Sequence, residues 1–158
     1  MRLRYGLIPL GMAAALIVAL PTGALAAPSK VGTESFTLTQ DLNGNPVGPL
    51  VASGVINDTG HDIVLGPNED TFDFGANGAI TVFHSPLHDS MHFNKSKCTF
   101  GFTEKGTYVF ANGTGEWTNY SGSGSYRVTG TATDACGPSP VGTVTITATG
   151  PITLNTGG

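Results

Sequence analysis

Residues 106–126, which read GTYVFANGTGEWTNYSGSGSY, decide the fold class. Aromatic residues that favour strands alternate in this stretch with closely spaced glycines. The aromatic residues are Tyr108, Phe110, Trp117, Tyr120 and Tyr126, and the glycines are Gly106, Gly113, Gly115, Gly122 and Gly124. Because glycine permits the tight turns that join neighbouring strands, the pattern predicts consecutive antiparallel strands with short connections.

The same period-two alternation recurs over residues 36–154, whereas helical periodicity is nearly absent after residue 27. Turn residues separate the apolar runs at a spacing of about 8–12 residues, which is typical of a β-barrel or a β-sandwich. The segment 75–78, GANG, lies between two such runs and indicates a hairpin. The sequence therefore predicts an all-β domain of about eight to ten strands.

The last predicted strand, residues 141–154, is long and alternates threonine with Val144, Ile146 and Ala148. A long final strand can pair with the first one, residues 33–40, and thereby remove both exposed edges of the sheet. We therefore expect a single antiparallel barrel, with a two-sheet sandwich as the alternative.

Residues 1–26 have the features of a secretory signal peptide. Arg2 and Arg4 precede an apolar run over residues 7–20, and residues 24–26 read ALA, a small-x-small cleavage pattern. The run is shorter than the roughly 20 residues that a membrane-spanning helix needs. We expect a secreted, extracellular protein whose single domain covers residues 27–158 and which has no membrane span once the signal is cleaved.

The net charge of the predicted domain argues against nucleic acid as a partner. Arg2 and Arg4 are two of the seven basic residues, so the predicted domain carries five basic against eleven acidic residues, a net charge of −6 with histidine neutral. Nucleic-acid binding depends on clustered lysine and arginine, and the one basic cluster here is Lys95 with Lys97. We therefore expect no nucleic-acid partner.

The two cysteines, Cys98 and Cys136, both follow the predicted cleavage site. An even number of cysteines in an exported protein favours a disulfide over free thiols. The sequence contains no CxxC pair, so a metal-binding or catalytic cysteine pair is not indicated. The expected bridge closes a long loop and contributes about 4 kcal/mol in the chain-entropy model.

Residues 107–117, TYVFANGTGEW, followed by YSGSG at 120–124, resemble the glycine-rich GGTG-x-aromatic segment of allene oxide cyclase-like and dirigent-like barrels. They are also similar to small bacterial secreted proteins of uncharacterised function. In the family this segment joins two strands of an eight-stranded antiparallel barrel whose cavity accepts apolar small molecules. Asn112 stands where the family has its first glycine, and no position matches the family's cavity carboxylate. The resemblance implies a barrel, and it implies no activity.

Histidines supply the sharpest candidates for a metal site. Ser85 could cap, and Pro86 could start, a short helix within the irregular insertion 85–93, which would place His88 and His92 on one face. Zinc would then need a third ligand, for which the candidates are His84, His61 and Asp70. Such a helix spans only about two turns, so we instead expect structural histidines or solvated histidines in a polar loop, no metal and no cofactor.

Two further groups of residues have a structural and a functional interpretation. The acidic cluster Glu69, Asp70 and Asp73 is expected on a solvated face of a strand, since its spacing does not match a calcium loop. The five aromatic residues of the segment 106–126 are expected either to fill the core or to line a cavity.

The sequence contains no nucleophile elbow and no phosphate loop, so it identifies no catalytic residue. We expect a non-catalytic protein that binds a small apolar ligand inside the barrel or a partner at its surface. The first alternative is a cyclase- or dirigent-like enzyme that guides a reaction by cavity shape, and the second is a structural envelope protein. Oligomeric state stays open.

Overall fold

The computed structural model describes residues 29–155. Eight antiparallel strands form one closed barrel in which each strand pairs with its neighbours in sequence and the last pairs with the first. The strands are β1 (Ser29–Asp41), β2 (Leu50–Ser53), β3 (Asp58–Gly66), β4 (Glu69–Asp73), β5 (Ala79–Asn94), β6 (Thr99–Gly113), β7 (Tyr120–Thr133) and β8 (Val141–Asn155). The expected all-β barrel is confirmed, and its closure excludes the two-sheet sandwich. The predicted signal peptide lies outside the described residues.

Strands β1 and β8 close the barrel along their whole length. Ser29 pairs with Asn155 at one end of this ladder, and Asp41 pairs with Thr143 at the other. Val144 and Ala148 of β8 face inward and are buried, while the threonines between them face solvent. The predicted pairing of the first and last strands is therefore confirmed, and it leaves no open edge between them.

The barrel has two different ends. The described chain begins and finishes at the first end, which we call the termini end and which also carries two short 3₁₀ turns, Gly75–Asn77 and Gly115–Trp117. The opposite end is the hairpin end, because the β5–β6 hairpin extends there beyond β4, while β6 stays paired with β7.

Aromatic rings fill the barrel between its middle and the termini end. Trp117 is fully buried and stacks on Phe74, with ring centroids 4.3 Å apart. Phe36 of β1 contacts the rings of both Phe72 and Phe110 across the interior. Such pairs contribute about 0.5–1.5 kcal/mol each beyond the area they bury, so this half of the barrel is solidly packed.

A disulfide bridge fastens the hairpin end. Cys98 lies in the β5–β6 turn and Cys136 in the β7–β8 loop, with their Cα atoms 5.2 Å apart. The backbone N–H of Ala135 also donates a hydrogen bond to the carbonyl oxygen of Cys98, at 2.9 Å. The expected pairing of the two cysteines is confirmed, and it holds the tip of the hairpin against the neighbouring loop.

The expected irregular insertion at 85–93 is wrong, and the short helix considered there as an alternative does not form. Strand β5 runs through this segment and stays paired with β6 as far as Asn94. The other neighbour, β4, starts at Glu69 opposite Phe83, so β5 is an edge strand beyond that point. Proline is tolerated on an edge strand or at a bulge, and a register shift does follow Pro86.

Candidate ligand cavity

A cavity of about 80 Å³ lies inside the barrel towards the hairpin end. Its walls are mostly apolar and come from β1 and from strands β4 to β8. The wall residues are Phe36, Leu38, Phe72, Val82, Tyr108, Phe110, Val128, Ile146 and Ala148. Ligand pockets for drug-sized molecules measure about 300–1,000 Å³, so this one takes a much smaller molecule or one end of a longer one.

Five polar side chains follow one another around the cavity, one from each strand between β3 and β7. We call them the polar collar: Asp62, Asp70, His84, Glu104 and Tyr126. Each lies on the inward face of its strand: four of them are an even number of residues from an inward apolar residue, and Asp62 is two residues from the buried Gly60. The collar therefore combines three carboxyl groups, one imidazole and one phenol against an apolar interior.

Asp62 is buried, with 7% of its surface exposed, the same fraction as Tyr126. Its Oδ2 atom accepts a hydrogen bond from Nε2 of Gln40, which is itself buried, at 2.6 Å. Its Oδ1 atom has no partner. Burial, reinforced by the charge of Asp70 and only partly offset by Gln40, raises the pKa of Asp62 to about 7.

Asp70 and His84 face each other across the β4–β5 pair. Nε2 of His84 lies 3.2 Å from Oδ2 of Asp70, while Nδ1 of His84 is buried without a partner. Burial raises the pKa of Asp70, and the charge of Glu69 adds to this, whereas His84 acts in the opposite direction. The histidine thus partly compensates a carboxyl group that the apolar surroundings disfavour as an anion.

Glu104 and Tyr126 form the third contact of the collar. The Tyr126 hydroxyl donates a hydrogen bond to Oε1 of Glu104 at 2.6 Å. Burial first, and then this contact, raises the pKa of Tyr126, so the phenol keeps its proton. Gly106 lies directly opposite Tyr126 in the ladder, and a Cβ atom there would overlap the tyrosine ring. The glycine therefore makes room for the ring that reaches Glu104.

A second buried acid lies outside the cavity, nearer the termini end. Glu34 is fully buried, and its Oε2 atom accepts the backbone N–H of Ile56 at 2.9 Å. Burial raises its pKa, against the effect of the backbone hydrogen bonds. Burial, with a smaller contribution from Glu34, also raises the pKa of Tyr108 to about 12. This acid ties β1 to the β2–β3 loop.

The five aromatic residues proposed from sequence as cavity lining are all buried, at two levels of the barrel. Tyr108, Phe110 and Tyr126 line the cavity. Trp117 and Tyr120 do not line the cavity. They contact each other in the packed half of the barrel towards the termini end.

The three histidines considered as metal ligands are not brought together. His84 points into the barrel, whereas His88 and His92 lie exposed on the hairpin. Within residues 29–155 no group of three or more histidine, cysteine, aspartate or glutamate side chains is placed to hold a metal ion. His88 and His92 are solvated and His84 is a half-buried structural histidine, which are the two alternatives that we expected. The expected solvated acidic face is wrong for Asp70, because this residue shares the inward parity of Phe72 on its strand.

Sequence reasoning missed Asp62, Glu34 and Gln40 as interior groups. The alternation of inward and outward residues along a strand could have found two of them. Glu34 and Gln40 lie two residues from Phe36 and Leu38, on the same face of β1. Asp62 offers a weaker signal, since its inward neighbour on β3 is Gly60, which carries no apolar side chain.

The hairpin adds apolar surface beside the collar. A groove of about 330 Å³ at the same end is lined by Leu42, Phe93, Phe100, Phe102, Ala132, Ala135 and Pro140. On the outer part of β5, Leu87 and Met91 are 73% and 72% exposed. The hairpin end therefore presents both an interior cavity and an apolar exterior.

No helix among residues 29–155 is long and apolar enough to span a membrane. Comparison of the chain with protein-family models, with curated proteins and with solved structures found no match. The resemblance to allene oxide cyclase-like and dirigent-like barrels therefore depends on the glycine-rich segment 106–126 alone.

Proposed function

We propose that this is a secreted small-molecule-binding protein whose ligand, or the end of whose ligand, occupies the cavity beneath the polar collar. The observation that carries the proposal is the coexistence of an apolar cavity with polar atoms that have no partner in it, Oδ1 of Asp62 and Nδ1 of His84. Apolar walls with a few convergent polar groups are the usual composition of a ligand site. The disulfide is compatible with an extracellular location.

The size of the cavity limits the ligand. An engineered cavity of about 150 Å³ takes benzene, so about 80 Å³ accommodates roughly three or four non-hydrogen atoms. At a ceiling of about 1.5 kcal/mol per atom, such a fragment alone binds weakly. A physiological ligand therefore gains affinity by extending out of the cavity, and the apolar groove with Phe93 and Phe102 at the same end offers such a surface.

Isopropanol, with four non-hydrogen atoms, is a suitable first probe. We expect saturable NMR shifts of the methyl groups of Val82 and Ile146, which line the cavity, and no shifts at Ile152 near the termini end. Ala148→Leu adds three carbon atoms to the cavity wall and should abolish the response. Absence of any saturable shift at the cavity methyls of the unmodified protein contradicts the proposal.

A second candidate function is catalysis by cavity shape with one acid–base group, in the manner of the cyclase- or dirigent-like alternative. The observation that favours it is Asp62, whose pKa of about 7 matches the range in which a carboxyl group can both donate and accept a proton near neutral pH. A ligand that is recovered chemically unchanged after prolonged incubation supports binding alone, whereas turnover that Asp62→Asn abolishes supports the enzyme.

A further inference from the structure

We propose that the polar collar receives the head of a small organic ammonium ion, whose alkyl part lies in the apolar cavity. This inference rests on the proposed binding function and names its ligand class. The first argument is charge: Asp62, Asp70 and Glu104 are three carboxyl groups, against which the cavity presents one basic side chain, His84. No lysine or arginine is among the lining residues. The collar is therefore complementary to a cation.

The second argument is the free oxygen of Asp62. Gln40 fixes one carboxyl oxygen of this buried residue and leaves Oδ1 without a partner at the cavity. A buried carboxylate is costly unless it is paired and hydrogen-bonded. An ammonium N–H that donates to Oδ1 supplies the missing hydrogen bond and the missing positive charge together.

The third argument separates an organic cation from a metal ion. Hard metal ions need several oxygen ligands that converge on one point. Among the residues that the structure describes, no acidic or histidine side chains converge in groups of three. The remaining walls are apolar and include the rings of Phe36, Phe72 and Phe110, which contact alkyl groups and also attract cations. An alkylammonium ion matches both the collar and the walls.

Matched probes test the ligand class. Isopropylammonium and isopropanol have the same number of non-hydrogen atoms and nearly the same shape, and they differ in charge. We expect the ammonium ion to bind at pH 8 at least tenfold more tightly than the alcohol, measured by NMR titration of the methyl groups of Val82 and Ile146. Asp62→Asn should remove this preference, so that the two probes bind within about twofold of each other.

Two controls accompany the titration. Glu116→Gln removes the same charge from an exposed position at the termini end and should leave the preference intact. Asp70→Asn, which also removes a carboxyl group of the collar, should reduce the preference and replaces Asp62→Asn if that variant fails to fold.

The outcomes distinguish this inference from the function on which it rests. If the unmodified protein binds isopropanol as tightly as isopropylammonium, the ligand class is wrong and the binding function stands. If the preference survives both Asp62→Asn and Asp70→Asn, the collar does not supply it and the inference is likewise wrong. If neither probe binds, the proposed function and the inference fail together.

Discussion

Nε2 of His84 lies 3.2 Å from Oδ2 of Asp70 inside the barrel, and Asp62 stands on the next strand, where its pKa is raised in part by the charge of Asp70. One histidine thus contacts one of two neighbouring carboxyl groups that the apolar walls disfavour as anions. Structural carboxylates are normally exposed or fully paired, whereas this arrangement leaves Oδ1 of Asp62 without a partner. The free energy of unfolding should therefore depend on the charge state of the collar.

Asp62→Asn should change how stability depends on pH. Because burial raises the pKa of Asp62 from 3.8 to about 7, the folded protein keeps a proton that the unfolded chain loses between about pH 4 and pH 7. The free energy of unfolding therefore falls as pH rises through this window. Above about pH 7 the carboxyl group is ionised in both states, and the whole loss of stability persists. Relative to the Asn variant, the unmodified protein should lose up to about 4 kcal/mol between pH 4 and pH 8.

Urea unfolding at several pH values measures this difference, and comparison of slopes cancels any constant cost of the substitution itself. Parallel stability curves for the two proteins would contradict a buried Asp62.

Gly106→Ala should destabilise the barrel. A Cβ atom at this position would overlap the carbonyl oxygen of Ser85 and the ring of Tyr126, and displacing the ring breaks its hydrogen bond to Glu104. We expect a loss of about 2–3 kcal/mol in chemical denaturation. Gly101→Ala on the same strand is the matched control, because its nearest neighbour, the carbonyl oxygen of Gly130, is 3.8 Å away. Equal stabilities of the two variants would show that Tyr126 is not held as described.

Glu34 should matter through its hydrogen bond more than through its charge. Glu34→Gln keeps an acceptor for the backbone N–H of Ile56, whereas Glu34→Leu leaves that donor buried without a partner. We expect the Leu variant to be about 1–3 kcal/mol less stable than the Gln variant at pH 7, by thermal or urea unfolding. A Leu variant as stable as the Gln variant would mean that the N–H of Ile56 finds another acceptor.

Removal of the disulfide should lower stability without abolishing the barrel. Replacing both Cys98 and Cys136 by serine releases a loop of sequence separation 38, for which the chain-entropy model gives about 4 kcal/mol. Reduction of the unmodified protein is the matched control and should give the same loss. Unchanged denaturation midpoints would indicate that the hairpin tip is held by other contacts.

The strand pattern and the closure of the barrel could be predicted because both depend on local alternation. Residues 36–40 and 144–148 show period-two burial in sequence and in structure, and the length of the last strand matches that of its partner β1. The disulfide followed from the presence of two cysteines in a chain with a predicted export signal. The strand over residues 85–94 was missed because proline is disfavoured within a strand, although on the edge strand β5 Pro86 displaces no ladder partner.

The collar could not be assembled from sequence, although its members share the inward parity of their neighbours. Asp62 and Asp70 approach each other because the β3–β4 ladder pairs Asp62 with Phe72, two residues from Asp70. Such a register depends on the turn at 67–68 and on the bulge before it, and neither is fixed by composition. Acidic residues are usually exposed, so the inward parity of Asp70 was not enough to predict a position inside the barrel.

The most direct test of the interior position of Asp62 is an NMR titration of its carboxyl carbon in the intact protein. Burial beside Asp70 and the single hydrogen bond from Gln40 predict a midpoint near pH 7. A midpoint near pH 4, as for an exposed aspartate, would place this carboxyl group in water and contradict both the collar and the cavity that it borders.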